Sequence, residues 1–271
     1  MTHSHTAIAA LLHEHGLSPS RALGQNFVTD PNTVRKIARL ADVGPGDFVL
    51  EIGPGLGSLT LALVETGATI AAIEVDRYLL PALRSVVEPL GVELHHADAL
   101  TASYDEILGD REATVVANLP YNVATPLVLH LLETVPQVTR MLVMVQREVG
   151  ERMAARVGDE GYGAVSLRVD YFAAATVVGR VPATVFHPKP KVESALVAIR
   201  RRPHVKIDPS VVSEEVLFDV VRTAFAHRRK MLRGTLSAWA TPEMFAAADV
   251  APTARPEELT VDDFARLAAL R

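Results

Sequence analysis

Two short stretches combine residue types that suit a ligand site. Residues 51–58 read Glu-Ile-Gly-Pro-Gly-Leu-Gly-Ser, and residues 118–121 read Asn-Leu-Pro-Tyr. Glycine lets a backbone turn tightly and approach a ligand. Gly53, Gly55 and Gly57 follow the apolar run FVLEI (48–52), and a helical pattern follows them. In open α/β sheets, ligands sit beyond the carboxyl ends of the strands. The next apolar run reaches Glu74, 21 residues after Gly53. An acid about 20 residues on is the expected partner of a ribose hydroxyl. The third run ends in Ala97-Asp98-Ala99, where Asp98 can accept a hydrogen bond from an adenine amino group. Taken singly, the loop is most simply a turn. With acids ending the next two strands, it predicts a nucleoside-type cofactor.

The glycine spacing argues against a dinucleotide. The pyrophosphate fingerprint is G-x-G-x-x-G, and here Ser58 stands where its third glycine belongs. Glu51 adds a carboxylate two residues before the first glycine. A pyrophosphate disfavours that charge; the cationic methionine part of S-adenosylmethionine tolerates it.

Asn118 ends a fourth apolar run, TVVAN (114–118), at the same carboxyl edge. An exocyclic adenine amine is a poor nucleophile, because its lone pair is delocalised into the ring. Two acceptors holding its hydrogens favour a tetrahedral nitrogen with the lone pair forward. The Asn118 side-chain oxygen is one candidate. The Leu119 carbonyl, in a turn fixed by Pro120, is the other, and Tyr121 can stack on the base. The base must be unpaired or extruded to be reached. A β-turn with a self-bonded Asn and a packed Tyr is the plainer reading of the tetrapeptide by itself.

These sites require a scaffold, and the pattern supplies one. TIAAIEV (69–75), VELHHA (92–97) and MLVMVQ (141–146) join the two runs already named as strands. LTLALVETG (59–67), RYLLPALRSVVE (77–88) and TPLVLHLLETV (125–135) read as helices between them. Runs apolar on both faces and separated by helices predict a parallel, doubly wound α/β sheet. TVVGRV (176–181) and SALVAIR (194–200) are further strands, RRPHVKIDPS is a linker, and from Ser213 the pattern is helical.

The 271 residues suffice for one large domain and a small one. There is no cysteine, so disulfides and thiolate metal sites are excluded. The ten histidines lack the partners and spacing of a zinc site, and no metal is expected. The N-terminal stretch has no basic flank and makes a poor signal peptide. No apolar run approaches the length of a membrane span. A cytoplasmic monomer with no membrane partner is expected. The formal charge of −5 is unevenly spread. Residues 200–233 hold nine Lys or Arg against four acids, a formal +5, which leaves −10 for the rest. That asymmetry fits a polyanion partner or a solvated basic face. FAHRRKMLRGTL (225–236) is expected to continue a helix, with Phe225, Leu232 and Leu236 inward and Arg228, Arg229, Lys230 and Arg233 outward on an RNA-binding face.

The motifs LGQNFVTD (23–30), EIGPGLGSLT (51–60), IEVD (73–76), ADAL (97–100), NLPYNVATPL (118–127), VQREVGERM (145–153), FHPKPKVESALV (186–197) and FAHRRKMLRGTL occur in this order. With them the chain resembles the ribosomal RNA adenine dimethyltransferases, specifically the bacterial small-subunit group. The resemblance implies a Rossmann-like S-adenosylmethionine-dependent sheet in residues 1–202 and a small all-α RNA- or ribosome-binding domain in 203–271. It implies donor contacts from Asn26, Val28, Gly53, Glu74, Asp98 and Asn118; Gly55 and Ala99 are added as their loop neighbours. Phe186 falls where the family has a second aromatic near the base, either as a stacking partner opposite Tyr121 or as a packed loop anchor. The implied reaction is dimethylation of two adjacent adenosines near the 3′ end of small-subunit rRNA, coupled to subunit assembly. A non-catalytic assembly checkpoint and a large-subunit rRNA adenine methylase are alternatives. The chain departs from the family in having one basic residue, Arg21, before GQNF, in Val28, and in His187, for which no role is expected.

Overall fold

The computed structural model describes residues 2–271 and divides the chain into two compact units. The first holds residues up to Gly150 together with Thr176–Arg201; the second holds Glu151–Ala175 and Arg202–Arg271. This differs from a contiguous split after residue 202, because 25 residues around the second unit's first long helix belong with the C-terminal segment.

In chain order the first unit starts with α1 (His5–Glu14), β1 (Phe27–Val28) and α2 (Pro31–Ala41). Three βα pairs follow: β2 (Phe48–Ile52) and α3 (Ser58–Val64), β3 (Thr69–Glu74) and α4 (Leu80–Val87), β4 (Glu93–His96) and α5 (Tyr104–Leu108). Then come β5 (Ala113–Asn118), α6 (Ala124–Thr134), β6 (Val138–Gln146) and α7 (Arg147–Ala154). Beyond α8 (Ala164–Phe172) lie β7 (Ala173–Val181), β8 (Phe186–His187) and β9 (Ser194–Arg201).

Seven strands form one sheet in the order β4-β3-β2-β5-β6-β9-β7, and β1 pairs antiparallel with β8. Strands β4 through β6 in that order are parallel; β9 runs antiparallel to β6. The strand order reverses between β2 and β5, and the crevice at such a switch point is where ligands bind. Strand β2 is buried along its whole length and β5 up to its last residue, as parallel strands covered on both faces must be. Helix α2 shows how the cover forms. Asp30 caps its start, Pro31 occupies its first turn, and Val34, Ile37, Ala38 and Ala41 recur at helical spacing against Leu142, Met144 and Leu196 of the sheet.

The second unit is helical. Besides α8 it has α9 (Glu214–Phe225), α10 (Leu232–Thr235), α11 (Pro242–Ala247) and α12 (Val261–Ala268). Leu217, Phe218 and Val221 of α9 and Phe264 and Leu267 of α12 are buried. Thr260 and Asp263 form a reciprocal cap at the start of α12.

The expected basic helix is absent. The chain leaves helical geometry after Ala226 and turns through His227–Lys230, with the Lys230 N–H donating to the His227 carbonyl. Leu232 and Arg233 then give their N–H groups to Ala254 and Pro252, so tertiary backbone bonds replace the helical ones. Among the described residues, no helix is long and apolar enough to cross a membrane.

Candidate active site

The carboxyl ends of β2, β3, β4 and β5 open into one cavity in the first unit, with about 1270 Å³ of empty space including its solvent mouth. All eight residues expected to touch the donor line it, as do Leu119, Pro120 and Tyr121.

Local sequence explains the seat. Gly53, Gly55 and Gly57 adopt φ of 70°, 62° and 82°, the left-handed region. A Cβ on Gly55 would lie 3.0 Å from the Phe27 ring, so this turn needs glycine for space as well as for torsion. Beside it, Glu74 is 4% exposed. Its Oε2 accepts the Gly55 N–H at 3.0 Å and its Oε1 accepts the Asp76 N–H at 2.9 Å. Each carboxylate oxygen keeps a second lone pair for a ribose hydroxyl. Burial raises its pKa above the usual carboxylate value, while these two N–H donors oppose the shift. Asp98 is exposed, and its Oδ1 accepts the Leu100 N–H at 2.9 Å, leaving Oδ2 for an adenine amine. Val28 lines the cavity and is buried in the core cluster with Val34 and Ile37.

Glu51 is 1% exposed, lines the cavity, and has a buried Oε2 with no hydrogen-bond partner. Burial, with the charge of Glu74 adding to it and the Thr60 hydroxyl opposing it, pushes its pKa up to about 8. A buried carboxylate with an idle oxygen suits a cation. This orphaned group, the glycine turn and the two strand-end acids fit S-adenosylmethionine, which carries a sulfonium and an ammonium.

On the acceptor side, Asn118 Nδ2 donates to the Asn26 carbonyl at 3.0 Å. That bond fixes the amide and leaves Oδ1 to accept. Tyr121 is tethered through its hydroxyl, 3.0 Å from Ser194 Oγ, at a buried serine. Its ring lines the cavity two residues beyond Leu119.

Phe186 is not brought to the cavity. It is 5% exposed, pairs with Val28 across β1 and β8, and packs with Val34 and Ile37 in the core. His187 meets the His5 ring edge-on, with centroids 5.4 Å apart. The basic residues are also sorted. Arg228 pairs with Glu257 and donates to the Glu160 carbonyl, so it is tied into its own unit. Arg229, Lys230 and Arg233 are exposed on the turn and the start of α10. Sequence reasoning passed over Gln25, Leu56 and Leu79 as cavity residues. Gln25 stands inside the GQNF motif, which was the available signal; the two leucines read as ordinary core.

Fold and site together define an S-adenosylmethionine-dependent methyltransferase. The narrower class comes from comparison. The family model for ribosomal RNA adenine dimethylase matches residues 17–270, and the chain belongs to that family. It is 47% identical over 267 residues to ribosomal RNA small subunit methyltransferase A of Thermobifida fusca, covering 94% of this chain and 91% of that one. It is likewise 47% identical over 277 residues to the protein of the same name from Cutibacterium acnes, at 96% and 91% coverage. Among solved structures it is similar to the 23S rRNA methyltransferase ErmE, with a TM-score of 0.70, 25% identity, and coverage of 89% of this chain and 98% of that one. A dimethyladenosine transferase from Plasmodium falciparum shares the fold, with a TM-score of 0.73, 24% identity and coverage of 88% and 94%.

Proposed function

We propose that this protein dimethylates the exocyclic amines of two adjacent adenosines near the 3′ end of small-subunit rRNA, acting as a cytoplasmic monomer during assembly of the subunit. The observation that carries the reading is the Asn118 amide. It is anchored through its nitrogen with its oxygen free, at the rim of a cavity built for a cationic nucleoside. The small-subunit target is supported by relatives at 44–47% identity that are named for that subunit. ErmE, named for 23S rRNA, is more distant at 25%.

When bound, S-adenosylmethionine supplies an electrophilic methyl group. Gly53 and Gly55 give the donor room, Glu74 holds its ribose, and Asp98 holds its adenine. Glu51, once ionised, balances its positive charge. Asn118 Oδ1 and the Leu119 carbonyl accept the two hydrogens of the target amine and turn its lone pair toward the methyl carbon. Tyr121 stacks on the base, worth about 1–3 kcal/mol. Positioning accounts for most of the acceleration. No strong base is needed before transfer, because the amine proton becomes acidic once the nitrogen is alkylated and can leave to water.

The test is incubation with labelled methyl donor and undermethylated small subunits, followed by nucleoside analysis. Label in dimethyladenosine from the 3′ region is expected. Label confined to large-subunit RNA, or none in adenosine, would overturn the reading. The exposed Arg229, Lys230 and Arg233 support RNA binding and keep the assembly-checkpoint reading in view. An Asn118→Ala strain separates the two. Assembly defects that follow loss of methylation mark catalysis as the main role. Normal assembly without methylation, failing only when the basic turn is removed, marks binding.

A further inference from the structure

The arm ahead of β1 holds a side chain that the methyl-transfer chemistry does not use. Gln25 lines the donor cavity, yet both ends of its amide are engaged within the protein. Its Oε1 accepts the Ser20 N–H at 2.8 Å, and its Nε2 donates to Asp76 Oδ2 at 2.7 Å. A carboxylate accepts and a backbone N–H donates, so these partners fix the orientation of the amide. Each end thus has a partner within the protein that fixes where the side chain sits.

What Gln25 joins is informative. Asp76 is 9% exposed, and its N–H donates to Glu74, which in turn accepts the N–H of Gly55 in the glycine turn. The next residue along the arm, Asn26, gives its carbonyl to the Asn118 amide. Gly24, at φ 64°, brings the same arm against the acceptor turn. A Cβ there would lie 3.1 Å from Asn122 Oδ1 and 3.4 Å from Pro120 Cβ. A continuous run therefore leads from the donor seat through Glu74, Asp76, Gln25 and Asn26 to Asn118.

We infer that Gln25 is a positioning residue that pins the 20–26 arm to the end of the donor-binding strand and thereby sets where the Asn118 oxygen points. The inference rests on the methyl-transfer reading above. Releasing Gln25 leaves Glu74 and the glycine turn in place but frees the Asn26 carbonyl, and with it the anchored end of the Asn118 amide. Donor binding falls far less than rate, because Glu74, Asp98 and the glycine turn stay in place while the acceptor geometry is lost.

The experiment uses the full chain. Gln25→Met keeps the length of the side chain and removes both hydrogen bonds. Its single-turnover methylation of undermethylated small subunits is expected to fall roughly ten- to hundredfold, with the donor Kd within about threefold of wild type. Gln25→Glu sets two carboxylates side by side. Adding Asp76→Asn restores the bond with donor and acceptor exchanged. The amide oxygen introduced at position 76 can still accept the Tyr78 N–H that Asp76 Oδ1 now accepts. This pair is expected to regain at least about tenfold in rate over Gln25→Glu alone. A merely structural role would lower donor affinity and Tm in step with rate and would not respond to the exchange. Wild-type rate in Gln25→Met, parallel loss of donor binding and rate, or no recovery in the double variant would each overturn the role. An inactive wild type would overturn the functional reading as well, which distinguishes the two failures.

Discussion

At the residue scale the site depends on two side chains whose neighbours decide what they can do. In the proposed reaction Asn118 acts through its oxygen, because its nitrogen is bonded to the Asn26 carbonyl. Asn118→Asp keeps the shape but sets a carboxylate oxygen against the Asn26 carbonyl, so two acceptors face each other. The rate of methylation should drop roughly a hundredfold or more, as measured by single-turnover label transfer. Glu51 makes a different prediction. Its folded pKa, about 8, lies above the ordinary value of 4.5. Between those limits the folded protein holds a proton that the unfolded chain has released, so stability falls as pH rises through that window and levels off above it. Each pH unit costs up to about 1.4 kcal/mol. Melting curves of donor-free protein from pH 5 to pH 8 should show Glu51→Gln losing less Tm than wild type. Parallel curves would show that the carboxyl is already ionised. A bound cationic donor lowers the same pKa, so binding near neutral pH should release a proton, visible as a buffer-dependent heat. The strand-end residues Glu74, Asp98 and Asn118 were legible in the sequence because strand ends at a switch point share one edge. The burial of Phe186 and the internal pairing of Arg228 were not, because each depends on partners distant in the chain.

At the scale of elements, the cavity wall extends beyond the sheet. Ile8 and Leu12 of α1 pack with Phe27, Leu56, Leu79 and Ala82. Leu56 belongs to the glycine turn, and Leu79 also lines the cavity. Thus α1 braces the donor seat from outside. Ile8→Ala should destabilise this cluster by about 2–5 kcal/mol. Because the cluster contains Leu56, donor Kd should rise measurably in calorimetric titration, with hydrogen exchange increasing first along α1. Unchanged donor affinity would show that the turn holds itself. The sequence showed the long strands well, since continuous apolar runs bounded by turns leave little choice: FVLEI matches β2 end to end. It did not show β1 or β8, two residues each, whose pairing is set by tertiary context. Nor did it show that 226–231 leaves the helix, because His-Arg-Arg-Lys contains no helix breaker and the competing carbonyls of Pro252 and Ala254 come from a distant part of the chain.

At the scale of the whole chain, the basic segment 200–233 is less available than its count suggests. Arg201 is spent on the carbonyls of Leu131, Leu132, Val135 and Val138, where it caps the end of α6. Arg202 and Lys206 share Asp170, Arg222 pairs with Asp219, and Arg228 pairs with Glu257. What remains for a polyanion is Arg229, Lys230 and Arg233, with Arg200 exposed at the end of β9. Charge density read from sequence thus overstates the surface open to the proposed RNA partner, because ion pairing is invisible without the fold. Phosphate contacts release counterions, so the logarithm of affinity falls with the logarithm of salt by roughly 0.7–0.9 per contact. Replacing Arg229, Lys230 and Arg233 together with Ala should flatten that slope by about two units, with the donor Kd unchanged. Arg228→Ala should leave the slope alone and lower Tm instead, since it removes an internal pair. If Arg228→Ala flattens the slope as much as the triple change, its pairing with Glu257 gives way to phosphate on binding, and the footprint is the whole turn.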